Sequence, residues 1–104
     1  MSAHDAVNTA NLESARRAGW PELTGTPAQI GWAATIRAAR MREFDAAESP
    51  VSGMTAAARA ALRGVLLEVT TASDWIDTRC HAHWHLVLLT IKRSQEEIVA
   101  LGAL

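Results

Sequence analysis

Residues 80–85, with the sequence CHAHWH, contain the side chains of this chain that are best suited to chemistry. On a helix, Asp77, His81 and His85 would lie on one face at intervals of four residues, and adjacent pairs could chelate a divalent metal. A structural metal site offers four protein ligands and a catalytic one three, and a single helix rarely wraps three ligands around one ion. We therefore predict no metal and no cofactor, and we interpret the histidines as a solvated or pH-sensitive face.

Cys80 is a candidate nucleophile by residue type alone. A nucleophilic cysteine needs a base beside it and a group that orients this base, and no pattern in the sequence specifies either. The chain also lacks a Gly-rich loop of the kind that cradles phosphates. We expect no enzymatic activity and no catalytic residue.

The charge of the chain is nearly balanced, with Lys+Arg 10 against Asp+Glu 11 and a formal net charge of -1. Overall charge therefore attracts neither nucleic acid nor an anionic membrane, and it is too small for an acidic mimic of DNA. The local basic set is Arg37, Arg40 and Arg42, and Glu43 and Asp45 follow it immediately. We do not expect direct binding to nucleic acid, which needs more cations on one face.

The chain shows no pattern for export or for membrane insertion. No charged leader followed by an apolar stretch opens it, and its single cysteine, Cys80, cannot form an internal disulfide. The longest strongly apolar run, 86–91, is far shorter than the ~20 residues that span a bilayer. We expect a cytoplasmic protein in which this run lies in the core.

The element most clearly predicted is a helix over residues 26–44, TPAQIGWAATIRAARMREF. Thr26 can accept a hydrogen bond from a first-turn amide, Pro27 suits the first helical position, and Gln29 completes a capping box. The rest of the chain is organised around this helix.

Two apolar stripes run along this helix. One contains Ile30, Ala34, Met41 and Phe44, with Arg37 on the same side, and the nearly opposite one contains Trp32, Ile36 and Ala39. Either both stripes pack against neighbouring helices, or the side of Trp32 stays partly exposed as a docking surface. We expect Arg37 to be partly buried and therefore to need an acidic partner.

Before this helix, Ser2 and Asp5 form a capping box for a weaker helix that ends before Gly19. Proline restricts the residue that precedes it, so Trp20-Pro21 predicts an extended connection to the central helix.

After the central helix, residues 49–53 form a dense cluster of helix breakers, and Thr55 caps a second long helix. Gly64 within it is explained most simply by the close approach of a neighbouring helix. Thr71 or Ser73 is the candidate cap for a further helical start.

The last third is ambiguous between helix and strand. Residues 74–93 lack the Gly, Pro or Asn-Gly signals that would bound a strand, so we favour a helix. The alternative is a short two-stranded insertion near 81–91. The sequence thus predicts one mostly α-helical domain, 1–104, of about three to four helices.

Two segments together resemble a pattern found in small proteins of phages and other mobile elements. The first, residues 23–37, reads L-x-G-T-x-x-Q-I-x-W-A-x-x-I-R, and the second, residues 75–79, reads W-I-D-x-R. Some proteins with this pattern are similar to anti-CRISPR proteins, which bind components of the CRISPR-Cas machinery and block interference. After Arg79 the chain departs from the pattern, since CHAHWHLVLL replaces a polar continuation.

The resemblance implies an inhibitor that binds a Cas protein or type I effector complex stoichiometrically in the host bacterial cell. We expect the partner to contact an exposed Trp32 or Trp84 and neighbouring arginines. The expected contact set is Trp32, Trp84, Arg40 and Arg42, and the expected structural set is Thr26, Gln29, Ile30, Arg37, Trp75 and Asp77.

The resemblance also suggests an ion pair between Arg37 and Asp77, because each lies in one matching segment. Two other functions stay open. One is a metal-binding or DNA-associated accessory protein of a mobile element, and the other is a homo-oligomeric structural module.

Overall fold

In a computed structural model, which describes residues 3–47 and 55–101, the chain folds into helices joined by short connections. The described ranges contain α1 Ala3–Arg17, α2 Pro27–Ala46, α3 Ala56–Leu67, α4 Ala72–Asp77, α5 Trp84–Lys92 and α6 Gln95–Ala100. The only β pairing in these ranges is an isolated bridge, so the all-α prediction is confirmed. No helix in this part of the chain is long and apolar enough to cross a membrane.

The start of α2 forms as its sequence predicts. The Thr26 hydroxyl accepts a hydrogen bond from the Gln29 amide at 3.2 Å, and the Gln29 side chain accepts one from the Thr26 amide at 3.0 Å. Gly25 precedes the cap at φ 144°, a backbone conformation that glycine adopts without strain. The helix ends at Ala46, and the predicted breaker cluster, residues 49–53, lies outside the described residues.

The N-terminal helix predicted from a weak pattern is present as α1, although Ser2 of its proposed capping box lies outside the described residues. Polar residues fix α1 against α2: Asn11 donates to the Thr35 hydroxyl, which in turn donates to the Asn8 side chain at 2.6 Å. Gly31 lies opposite Asn8, so that a Cβ added there would be 3.3 Å from the Asn8 Cβ. These contacts with α2 explain why α1 contains Asn8 and Asn11, although asparagine is a poor helix former.

The hydrophobic core is built mainly around α2 and α4. The buried stripe of α2 is the one that contains Met41 and Phe44, whereas Trp32 on the opposite stripe is 45% exposed. Trp75 of α4 is fully buried, and its indole N–H donates to the Val69 carbonyl at 2.8 Å. The other core members come from the α1–α2 connection, α3, the α3–α4 connection, α5 and α6, and include Leu23, Leu62, Leu66, Val69, Leu88, Leu89 and Ile98.

A short backbone bridge sets α4 beside the start of α2. The Thr24 amide donates to the Thr70 carbonyl at 2.7 Å, and the Ala72 amide donates to the Thr24 carbonyl at 2.9 Å. The bridge joins the segment just before α2 to the segment just before α4. It therefore holds the starts of these two helices close together. Residues 23–37 and 75–79, the two segments that carry the sequence pattern, are therefore packed together.

The helix predicted for the last third is interrupted between α4 and α5 by a turn at residues 78–83. The alternative of a two-stranded insertion near 81–91 is wrong, because the described residues there form a turn and α5. On one continuous helix, Trp75 and Trp84 would be nine residues apart and would point in opposite directions, at about 100° per residue. The turn lets both enter the core, with ring centroids 6.4 Å apart. Thr78 favours the break, since its hydroxyl donates to the Asp74 carbonyl one turn earlier.

Thr55 caps α3 as predicted, by accepting a hydrogen bond from the Ala58 amide at 3.1 Å. The explanation offered for Gly64 is wrong. This glycine is exposed, and a Cβ added there would have no heavy atom within 4 Å. Close packing of another helix is therefore not the reason for glycine at this position.

Gly64→Ala should raise the free energy of unfolding by about 0.5–1 kcal/mol, because alanine has the higher helix propensity and meets open space. Urea denaturation monitored by circular dichroism measures this change. Gly31→Ala is the matched control within α2, where the added methyl group would press on Asn8. Equal gains in the two variants would contradict the assignment of Gly64 to an uncovered helix face.

Candidate functional site

The most exposed large aromatic side chain in the described chain is Trp32, on the outer side of α2. Val7 of α1, 50% exposed, lies beside it. The two residues line a shallow concavity of about 470 Å³ together with His4, Asn8 and Thr35. We call the surface formed by Val7, Trp32, Thr35 and Arg79 the Trp32 face.

Arg79, at the end of the second sequence segment, packs against Trp32 at the edge of this face. Its guanidinium lies over the Trp32 ring, 4.9 Å from the centroid, and donates to the Ile76 carbonyl at 2.6 Å. Arg40 donates to the Arg79 carbonyl, which ties the 78–83 turn to α2. Arg79 was absent from the expected contact set, although its place in the W-I-D-x-R segment could have indicated it.

Trp84 does not contribute to an exposed surface, so the prediction of an exposed Trp84 is wrong. It is only 4% exposed, and the Arg40 guanidinium covers its ring at 5.4 Å from the centroid. Arg40 also forms an ion pair with Glu43 at 2.9 Å. Arg40 is therefore engaged inside the structure, whereas Arg42 is exposed and has no hydrogen bond or ion pair with any described residue.

The expected structural residues mostly lie where the sequence indicates. Thr26 and Gln29 form the capping box, Ile30 packs against the core, and Trp75 is buried within it. Asp77 is the exception, because it is exposed at the end of α4.

Arg37 is 1% exposed, so its expected burial is confirmed, but the expected ion pair with Asp77 is wrong. Its guanidinium donates to the Pro21 carbonyl at 2.8 Å and lies over the Trp20 ring, 5.3 Å from the centroid. The acceptor is a backbone carbonyl, because the extended Trp20-Pro21 segment passes over this side of α2. Burial lowers the pKa of the Arg37 guanidinium from its ordinary value, yet arginine stays protonated in proteins.

The histidines do not form the single helical face considered from the sequence. His81 and His83 are exposed in the 78–83 turn, whereas His85 is half-buried on α5. Burial, followed by the nearby His83, lowers the pKa of His85. No group of three or more His, Cys, Asp or Glu side chains in the described ranges is arranged to hold a metal ion.

Chelation should therefore leave the thermal midpoint of unfolding unchanged, because the described residues contain no set of ligands through which a metal would stabilise the fold. Differential scanning calorimetry with and without EDTA measures this. A fall of several degrees that Zn²⁺ restores, and that a His81→Ala, His85→Ala double variant does not show, would contradict it.

Comparison of the chain with family models, with curated proteins and with solved structures finds no match. The function is therefore inferred from the geometry of the Trp32 face and from the resemblance of the two sequence segments.

Proposed function

We propose that this protein is a non-enzymatic inhibitor of CRISPR interference that binds a Cas protein or type I effector complex stoichiometrically through the Trp32 face. The observation that carries the proposal is the contact between the two segments that resemble the mobile-element pattern. Trp32 belongs to the first segment and Arg79 to the second, and their side chains stack at the surface. Each of the two segments thus contributes one side chain to the same exposed site.

The composition of this face suits protein recognition. Tryptophan and arginine are the side chains most enriched among interface residues whose truncation costs the most binding energy. Here they are already stacked, so less side-chain freedom is lost when a partner covers them. The neighbouring concavity beside Val7 offers room for a side chain of the partner.

Charge supports a protein partner over nucleic acid. Of the three arginines that formed the basic set, Arg37 is buried and Arg40 is paired with Glu43. Arg42 is left as the free cation of that set within the described residues. Binding to a phosphate backbone depends on several cations on one face, which this arrangement does not provide.

A plaque assay tests the proposal in cells with active type I CRISPR systems. Expression of the protein should restore plaquing by a targeted phage to the level seen on a host without a matching spacer. An empty vector is the control for host effects. Failure to restore plaquing in every type I subtype, despite expression of folded protein, would overturn the proposed function.

A titration of purified effector complex tests the mode of action. Inhibition of target-DNA binding or cleavage should saturate near one protein molecule per complex, because a binder without turnover acts by occupancy. Inhibition at far lower ratios would indicate catalysis. Light scattering of the isolated protein tests the homo-oligomer alternative, in which the Trp32 face is covered by a second copy.

A further inference from the structure

Arg37 is the most deeply buried charged side chain in the described chain, and no carboxylate neutralises it. It is 1% exposed, and its guanidinium makes one hydrogen bond, to the Pro21 carbonyl. Its Nε atom is buried and finds no acceptor among the described residues. A buried cation without a counter-ion is unfavourable, so a further acceptor near Arg37 would stabilise the fold.

A cavity of about 150 Å³ lies next to this side chain, between α1, the 20–23 segment and α2. Arg37 and Arg16 are its cationic lining residues, and Glu22, which is exposed, is its acidic one. The remaining lining is largely apolar and includes Leu12, Ala15, Trp20, Leu23 and Ile30. The cavity therefore combines a net positive charge with walls of low polarity, which strengthen electrostatic attraction.

A second guanidinium, that of Arg63, lies near Trp20 but does not line the cavity. The guanidinium carbons of Arg37 and Arg63 lie 5.3 Å and 5.8 Å from the centroid of the Trp20 ring. Asp45 pairs with Arg63 at 2.8 Å, so Arg63 already has a counter-ion. Of the two arginines beside Trp20, Arg37 is the one without a counter-ion among the described residues.

We propose that this cavity binds a small oxyanion, of the phosphate or carboxylate class, with Arg37 and Arg16 as its charged partners. Arginine suits this role, because its planar guanidinium offers paired donors to the oxygens of such anions. A cavity of 150 Å³ is large enough for a benzene-sized ligand, so a tetrahedral or carboxylate group fits within it. The site is separate from the Trp32 face and does not depend on the proposed function.

Thermal unfolding in phosphate, acetate and chloride at matched ionic strength and pH tests the site. An oxyanion at about ten-fold excess over its dissociation constant should raise the midpoint by about 6–7 °C relative to chloride. The stronger of the phosphate and acetate effects identifies the preferred class. Equal midpoints in all three salts would overturn the proposal.

Variants at the cavity distinguish a specific site from general salt effects. Arg16→Ala should reduce the stabilisation by phosphate or acetate, and Glu22→Gln should increase it by removing the acidic lining residue. Arg17→Ala is the matched control, because Arg17 is the exposed next residue of α1 and does not line this cavity. Equal losses in Arg16→Ala and Arg17→Ala would contradict a site in the cavity.

A spectroscopic measurement locates the anion without relying on stability. In a nitrogen–proton correlation spectrum, titration with the preferred anion should shift the indole signal of Trp20 and leave that of Trp32 unchanged. Saturation of the Trp20 shift with one binding constant would support the site. Shifts confined to other indoles would place the anion elsewhere and overturn the assignment.

Discussion

Trp75→Ala is expected to lower the free energy of unfolding by about 3–5 kcal/mol, among the largest losses from a single truncation in the described chain. Trp75 is fully buried, packs near Trp84, and donates its indole N–H to the Val69 carbonyl. Alanine would leave a large cavity and would also leave the Val69 carbonyl without this donor. Because domains of this size are stable by only about 5–15 kcal/mol, the variant should lose a large fraction of its stability.

Urea denaturation of the variant and of the unmodified protein measures the difference. Trp75→Phe removes the N–H donor but keeps one buried aromatic ring, so it leaves a smaller cavity than alanine does. We expect it to lose about 1–3 kcal/mol, less than alanine does. Trp32→Ala is the exposed-tryptophan control. If it destabilised the protein as much as Trp75→Ala, the assignment of Trp75 to the centre of the core would be wrong.

Trp32→Ala is expected to weaken binding to the effector complex proposed as the partner by at least about 30-fold, which corresponds to about 2 kcal/mol for a dominant interface residue. Its effect on folding should be small, about 1 kcal/mol or less, because the main described contact that it loses is the surface stacking with Arg79. The separation of the two effects is the useful signature. A core residue would lose stability and binding together.

Surface plasmon resonance with immobilised effector complex gives the dissociation constants of the unmodified protein and of Trp32→Ala. Ile91→Ala is the matched control, because Ile91 is 46% exposed, close to the 45% of Trp32, but lies on α5. It should bind like the unmodified protein. Equal affinities for Trp32→Ala and Ile91→Ala would show that the partner docks elsewhere, even if inhibition itself is observed.

Arg79 makes a further comparison possible at the same face. Arg79→Ala removes the cation above the Trp32 ring, and we expect it to weaken binding less than Trp32→Ala does, because the indole supplies most of the apolar contact area. Loss of inhibition in Trp32→Ala and Arg79→Ala, but not in Ile91→Ala, would connect both sequence segments to one docking surface.

The sequence by itself determined the elements whose signals are local. A helix cap involves residues three positions apart, so Thr26 with Gln29 and Thr55 with Ala58 could be predicted without knowledge of the fold. The end of α1 before Gly19 was predicted as well, and Gly19 has φ 74°, a conformation that glycine adopts without strain. Periodicity also divided α2 into a stripe with Met41 and Phe44 and a stripe with Trp32, but it left open whether the Trp32 stripe is covered.

Only the tertiary structure decided which of the remaining residues face solvent and which pair with one another. Trp84 is buried because the 78–83 turn reorients α5, and Arg37 pairs with the Pro21 carbonyl because an extended segment crosses α2 there. Trp32 and Arg79 are 47 residues apart in the chain, and their contact likewise requires α4 to lie beside α2. These contacts depend on how separate helices pack, and a helical period specifies which residues share a face but not what covers that face.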